Sequence, residues 1–268
     1  MNNIGKISEN DNKIIHYIWI KNKDDIPASQ KKIMNKTISL NSEFSIKIWD
    51  LNNINDLNIK SKYFKKAITE KKWAFASDYL RAKILYEYGG VYIDIDLYPL
   101  KKLIEFLEEE DDFNLLIGFE YKYLISTGFI WAKEKNNLIL KKLLEHYDYF
   151  DNFKEDKIKF IVNNYIWTNI LVDEYNLKFD DKKQYLKDKT LIVDHRYFSS
   201  IKKIRLESYF LHKHLLSWKK NDFMKKIMMQ ILAFIQEHKI LNIFLKIEIK
   251  FKLRRVKNIY KYLIKNER

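Results

Sequence analysis

The stretch Ala76–Leu100, ASDYLRAKILYEYGGVYIDIDLYPL, reads as a helix that stops at a glycine pair and re-enters as a strand. Leu80, Ile84 and Tyr88 recur at a spacing of four, the interval that stacks side chains on one helix face. Gly89-Gly90 supplies the stop, Val91–Leu97 (VYIDIDL) reads as a strand, and Pro99 closes it. Successive strand side chains point to opposite faces. Asp94 and Asp96 are therefore expected on one face, with Ile93, Ile95 and Leu97 on the other.

Working outward, Ile14–Ile20 (IIHYIWI) is a near-continuous apolar run, the pattern of a buried parallel strand. A helix is predicted over Gln30–Leu40, a strand over Ser45–Trp49 and a helix over Tyr63–Lys72. Beyond Leu100, strands are predicted at Leu115–Phe119, Phe129–Ala132 and Leu191–Val193, and helices at Asn137–Tyr147 and Tyr165–Glu174. Strands alternating with helices point to an α/β fold with a mixed, largely parallel sheet and flanking helices.

Two carboxylates side by side repel, so a fold that places them together usually supplies a cation. With oxygen ligands that cation would be Mg²⁺, Mn²⁺ or Ca²⁺. Such an ion suits a reaction in which a diphosphate departs, because it stabilises the charge on the leaving oxygens. A glycosidase needs its two carboxylates on either side of the scissile bond, which two positions on one strand face do not provide. A bare D-x-D triplet also arises by chance in solvated turns. The preceding helix, with Asp78 and Arg81 one turn apart, gives this one its context.

Hydrophobic residues make up 47% of the 268 and aromatic residues 15%, the composition of a folded chain with room for a sizeable core. There is no cysteine, which excludes disulfides and thiolate metal sites and agrees with a reducing compartment. The polar stretch Met1–Lys13 does not read as a secretory signal, and no apolar run is long enough to span a membrane. On these features the expected location is the cytoplasm. The net charge of +14 is uneven: residues 219–268 hold fourteen Lys/Arg and four Asp/Glu, and 14 − 4 leaves +10 there.

Three blocks in order, IIHYIWI at Ile14, ASDYLR…YEYGGVYIDID at Ala76 and YFLHKHLLSW at Tyr209, resemble the DXD-containing sugar transferases. That family includes initiating mannosyltransferases and bacterial capsule glycosyltransferases, and its core is related to that of clostridial toxin glucosyltransferases. The resemblance implies a GT-A-like, Rossmann-type fold over residues 1–218. It also implies a Mn²⁺ or Mg²⁺ cofactor, a nucleotide-diphosphate sugar donor of the UDP-Glc or UDP-Gal type, and retention of anomeric configuration. The expected acceptor is a saccharide, lipid-linked, in surface polysaccharide synthesis.

The same resemblance implies roles for individual residues. Asp96 and His212 are expected to ligate the metal, and Asp94 to contact ribose or a metal-bound water. Asp78 and Arg81 would hold the sugar, with Arg81 near the phosphate. Ile18, Trp19, Asn52, Ser77 and Tyr92 would contact the nucleotide sugar, and Ser217 and Trp218 would close over the diphosphate. Each has a plain structural reading as well. Trp19 suits a core, Asn52 a turn, Ser77 a helix start, Asp78 and Arg81 a helix ion pair, and His212 and His214 ordinary packing. The chain departs from the family pattern at Lys21-Asn22, where glycine is usual, in lacking a proline before the first strand, and at His214, where an aromatic is frequent.

The tail, 219–268, reads as a basic amphipathic helical extension, although alternation at Ile247, Ile249, Phe251 and Leu253 would also suit a strand. A basic helix with an apolar face can lie on the inner, anionic face of a cell membrane, or it can pack as a cap on the core or on a second subunit. Three further readings stand beside the transferase. A nucleic-acid-binding protein leaves the acidic DID segment unexplained, and no nucleic-acid partner is expected. The others are a protein-modifying effector glucosyltransferase and a metal-dependent hydrolase of nucleotide sugars.

Overall fold

The computed structural model describes residues 13–121, 123–200, 204–213 and 239–265. The elements run β1 (Ile14–Ile18), α1 (Ala28–Leu40), β2 (Ser45–Trp49), α2 (Lys62–Thr69), α3 (Trp73–Tyr88), β3 (Gly90–Ile93), β4 (Leu97–Pro99) and α4 (Leu103–Glu109). Then come β5 (Leu115–Tyr121), β6 (Leu124–Ala132), α5 (Leu138–Asp148), α6 (Asn163–Tyr175), β7 (Gln184–Leu186), β8 (Thr190–Val193), α7 (His195–Phe198) and β9 (Phe210–His212). A long helix, α8 (Lys239–Lys265), ends the described chain.

Seven strands form one sheet in the order β2-β1-β3-β6-β5-β8-β7. Strands β2, β1, β3, β5 and β8 share one direction, and β6 and β7 run against them. The sheet is thus mixed and largely parallel, as the alternation of elements predicted. Strands β4 and β9 pair separately as a small antiparallel ribbon.

The pleat sorts side chains into two cores. On β3, Tyr92 joins the cluster built on α2, α3, α5 and α6, while Val91 and Ile93 join the one built on α1, α4 and α7. Helices therefore cover both faces, which explains why the central strands read as unbroken apolar runs. Local capping fixes element ends: the Asn137 side chain accepts from the N–H groups of Ile139 and Leu140 and starts α5.

The glycine pair has a steric reason. Gly89 sits at φ 68°, ψ −154°, a region closed to other residues, and its N–H bonds Leu85 O at 2.9 Å to end α3. A Cβ on Gly90, at φ +85°, would stand 2.6 Å from Ile14 O. Only glycine lets β3 leave the helix this close to β1. Buried His16 locks the junction: Trp49 Nε1 donates to its Nδ1 (3.2 Å), so its Nε2 carries the proton and donates to Gly89 O (3.0 Å). Burial lowers the His16 pKa to about 4, keeping the ring neutral.

Three strand boundaries are corrected. The strand does not run to Leu97; it ends at Ile93, and Asp94–Leu97 is a tight turn closed by Leu97 N–H on Asp94 O at 3.0 Å. Leu97 then begins the ribbon with β9, a change of partner that alternation alone does not reveal. Asp94 and Asp96 are accordingly neighbours across a turn and not along a strand face. The strand predicted at Phe129–Ala132 begins earlier, at Leu124, and the first strand ends at Ile18 rather than Ile20.

Helix α8 confirms helix over strand for the end of the tail. Its Ile249, Leu253 and Val256 are buried, and Asn169 Nδ2 on α6 donates to Leu253 O (3.4 Å). Lys257 pairs with Asp173 on the same helix (2.5 Å). Among the described residues no helix is long and apolar enough to cross a membrane.

Candidate active site

A cleft of about 310 Å³ opens where β3 and β5 end and α3 and α6 begin. Such crevices at the carboxyl ends of sheet strands are where α/β folds bind ligands. It is lined by Ile18, Ser77, Asp78, Arg81, Tyr92, Asp94, Asp96 and His212, all named from the sequence. Trp19 and Asn52 are not among its lining residues: Trp19 is buried in the core on the α1 side of the sheet, and Asn52 lies in the turn after β2, where its N–H bonds Asp50 Oδ1 at 3.0 Å. Ser217 and Trp218, like His214, fall outside the described residues.

Helix α3 delivers Ser77, Asp78 and Arg81. Arg81 is buried, its Nη2 lies 3.1 Å from Asp78 Oδ1 and 3.8 Å from Asp94 Oδ1, and Nη1 donates to the carbonyl and hydroxyl oxygens of Thr127. Its guanidinium lies over the Tyr92 ring at 4.7 Å. The Tyr92 hydroxyl donates to Asp94 Oδ1. One cation thus ties α3, β3 and β6 to the acidic turn, a use for which arginine's rigid fork is suited.

The turn itself is held by β6. Asp94 N–H bonds Gly128 O at 2.8 Å, and a Cβ on Gly128 would come within 3.0 Å of Asp94 Oδ2. Glycine at 128 therefore makes room for the carboxylate. From far along the chain, β9 sets His212 opposite Leu97, and Lys213 N–H bonds Asp96 O at 3.1 Å. His212 Nε2 stands 3.4 Å from Asp96 Oδ1.

Asp94, Asp96 and His212 each offer a donor atom, all within 4.8 Å of one another. Two carboxylates and an imidazole form an oxygen–nitrogen set suited to Mn²⁺, and acceptable to Mg²⁺. The residues therefore fit a divalent ion, with Asp94 a third donor beyond the pair expected from sequence. Electrostatics agree. Burial raises the Asp94 carboxyl above its usual range, with Asp96 adding to the effect and Arg81 opposing it. Burial also pushes Asp78 up to about 6 against the pull of Arg81. Burial works against charge on His212, but the hydrogen bond and charge of Asp96 outweigh it and raise the imidazole.

Among the lining residues that were not anticipated are Glu120 on β5 and Asn164 on α6. Asn164 Nδ2 donates to Glu120 Oε2 (2.5 Å) and to Ile125 O (2.8 Å). A charged residue in the otherwise apolar run LLIGFEY was the available signal.

Residues 27–114 match the family model of the glycosyltransferase sugar-binding region containing DXD motif. The match includes α3 and the Asp94–Asp96 turn, the middle of the three blocks that carry the resemblance. An uncharacterized glycosyltransferase, L373, of Acanthamoeba polyphaga mimivirus is 32% identical over 97 residues, 35% of this chain and 39% of that one. Toxin A of Clostridium novyi is 33% identical over 111 residues, 41% of this chain and 5% of the toxin. The chain thus spans well under half the length of either relative. Among solved structures, the PaToxG glycosyltransferase aligns at TM-score 0.48 and 24% identity over 60% of this chain and 68% of its own. A glycosyltransferase involved in glycosylation of the major capsid of PBCV-1 aligns at TM-score 0.44 and 13% identity, over 81% and 98%.

Proposed function

We propose that the protein is a metal-dependent, retaining glycosyltransferase of GT-A type that transfers a hexose from a nucleotide-diphosphate sugar to a saccharide. The observation that carries this reading is the convergence of Asp94, Asp96 and His212 in a cleft whose other walls bear Asp78 and Arg81. The sugar-binding family match over the same segment supports it.

In the reaction the bond from the anomeric carbon to the donor phosphate breaks, and the electron pair leaves with the nucleoside diphosphate. An acceptor hydroxyl forms the new bond, and its proton leaves to the departing phosphate. Asp94, Asp96 and His212 would hold the ion, Mn²⁺ or Mg²⁺, which when bound supplies Lewis-acid stabilisation of the departing diphosphate. Arg81, fixed by Asp78 and Thr127, presents positive charge to the same phosphates without reorganising. Asp78 accepts from sugar hydroxyls. Ser77, Tyr92 and Ile18 complete the donor wall, and Ser217 and Trp218 would close over the diphosphate. Residues 1–218 form the catalytic unit and 219–268 its basic extension.

The acceptor is lipid-linked, of the kind used to build surface polysaccharide, and the extension brings the enzyme to the inner face of the cell membrane. What supports this is α8. Opposite its buried stripe, Phe244, Ile247 and Phe251 recur at helical spacing, each at least 60% exposed, with exposed Lys250, Arg254 and Arg255 beside them. Apolar residues flanked by cations are the pattern of a helix that lies on anionic lipid.

The test of the activity is a panel of UDP- and GDP-sugars with and without Mn²⁺, read as release of nucleoside diphosphate. At least one donor is turned over only with metal, and Asp96→Asn abolishes that turnover. Metal-independent release, or release unchanged by the substitution, contradicts the reading.

A further inference from the structure

The acidic turn runs on into the β4–β9 ribbon, and outside the cleft that ribbon carries a cluster of cations. Leu97 and Pro99 are buried on β4, so Tyr98 between them faces outward. Lys36 on α1 donates to the Tyr98 hydroxyl oxygen at 2.6 Å and lies 4.2 Å from the centre of its ring. Lys213, just past β9, lies 5.2 Å from the same centre. Lys32, one helical turn before Lys36, is near enough for its charge to act on Tyr98 as well. Like charges gathered in this way repel. Elsewhere lysines find a carboxylate, as Lys83 does in Glu87 at 2.7 Å and Lys142 in Glu174 at 2.6 Å. Among the described residues no carboxylate forms an ion pair with Lys32, Lys36 or Lys213, and no acceptor takes the Tyr98 O–H. Three ammonium groups and a phenol O–H are all donors, and a phosphate has the charge and the oxygens to accept from them together.

Both strands of the ribbon tie this cluster to the ion site. Tyr98 follows Asp96 by two residues, about 7 Å of extended chain. Lys213 follows His212, and its N–H bonds Asp96 O at 3.1 Å. None of the four lines the cleft, where the ion and Arg81 serve the phosphates of the donor. Nor does the cluster extend the lipid-facing surface of α8, which packs with α6 on the other face of the sheet from α1. We propose that Lys32, Lys36 and Lys213, gathered round Tyr98, bind the phosphate that joins the acceptor sugar to its carrier. The acceptor is then a glycosyl phosphate with a single sugar ring between its reacting hydroxyl and that phosphate. The inference rests on the transferase reading above and narrows its saccharide acceptor.

The experiment measures transfer with Mn²⁺ from the sugar nucleotide that the full chain turns over fastest. The acceptors are the octyl phosphate diesters of glucose, galactose, mannose and N-acetylglucosamine, each joined through its anomeric oxygen. Each is set against the uncharged octyl glycoside of the same sugar. Wild type prefers the best phosphate diester over its glycoside by at least about tenfold in kcat/KM. Lys32→Gln combined with Lys213→Gln, both at exposed positions, narrows that preference to about twofold or less. The change falls on the KM for the phosphate diester, while the donor KM shifts by less than about twofold. Lys32→Arg combined with Lys213→Arg keeps the charge and most of the preference. High salt narrows the preference of wild type and has little left to narrow in the Gln variant.

No preference for the phosphate in wild type, an unchanged preference in the Gln variant, or donor breakdown with no transfer to any phosphate diester each overturns the proposal. A donor KM that moves as far as the acceptor KM assigns the lysines to the donor instead, and an equal loss with charged and uncharged acceptors assigns them to the fold of the ribbon. Both results overturn it too. Wild type that releases no nucleoside diphosphate from any donor sinks the transferase reading itself and the acceptor role with it, a result distinct from all of these.

Discussion

His212 Nε2 lies 3.4 Å from Asp96 Oδ1, although Asp96 sits in the turn just before β4 and His212 at the end of β9, far apart in sequence. The β4–β9 pairing that brings them together makes the acidic turn part of a three-sided donor set instead of a surface loop. Because the ribbon has only three residues on each strand, small changes around it should reach the ion before they reach the fold.

Gly128→Ala tests that sensitivity. The added methyl would stand 3.0 Å from Asp94 Oδ2, so the carboxylate must shift by a few tenths of an ångström. We expect the Mn²⁺ concentration for half-maximal turnover to rise several-fold, roughly, with melting temperature little changed. Equal metal dependence in the two proteins contradicts the placement of Asp94 among the donors.

Arg81→Ala should damage the fold as well as the chemistry. It leaves the Asp78 and Asp94 carboxylates without their buried cation and Thr127 O without its donor. Removing one partner of a buried ion pair costs about 3–5 kcal/mol. Urea unfolding reads this directly, and a loss under about 1 kcal/mol would mean that Arg81 is better solvated than its burial implies.

The His16 junction predicts a pH dependence of stability. Burial lowers its folded pKa to about 4 from the usual imidazole value of about 6.5. Below about pH 6.5 the unfolded chain binds a proton that the folded chain refuses, so stability is complete above that value and is lost as pH falls towards 4. The full loss is about 3 kcal/mol, and about 2 kcal/mol of it falls between pH 7 and pH 5. His16→Phe should be less stable at pH 7, because Trp49 Nε1 and Gly89 O lose their partner, but its stability should fall less between pH 7 and 5. Parallel pH profiles would contradict the neutral, doubly bonded imidazole.

Much of this was readable in advance because it depends on local chemistry. Helix α3 and its Gly-Gly stop follow from spacing and from the backbone that Gly89 and Gly90 alone tolerate. The alternation of strands and helices gave the sheet its class. What could not be read depends on distant pairing. The strand was expected to continue through Asp96, since VYIDIDL alternates throughout, yet Leu97 leaves the sheet to pair with β9. Ser126-Thr127-Gly128 breaks the apolar run of β6 and hid its first half, and the reason for that break is the service Thr127 gives Arg81 and Gly128 gives Asp94. Glu120 went unremarked because only the fold places its strand end beside α6. The resemblance to a known family supplied His212, whose ordinary reading as a packing histidine was equally open from sequence.

The tail divides in the same way. Apolar and basic residues interleave along α8, but only packing shows that Ile249, Leu253 and Val256 face α6 while Phe244, Ile247 and Phe251 face outward.

Replacing Phe244, Ile247 and Phe251 together by Ser should therefore leave the melting temperature and donor breakdown unchanged while reducing flotation with phosphatidylglycerol vesicles by about tenfold or more. Neutral phosphatidylcholine vesicles should bind weakly in both cases. Equal flotation of the two proteins, or no flotation of wild type, rules out the outward face as a membrane contact.

The central claim is that Asp94, Asp96 and His212 together hold a divalent ion beside a nucleoside diphosphate. Its most direct measurement is a Mn²⁺ titration followed by electron paramagnetic resonance at pH 7.5 in the presence of UDP and, separately, GDP. Wild type should quench the free-ion signal at about one equivalent with at least one nucleotide, and Asp96→Asn combined with His212→Ala should leave the signal as it is with protein absent, a loss of at least about a hundredfold in affinity. Undiminished quenching by the double variant would show that the ion binds elsewhere and would contradict the account.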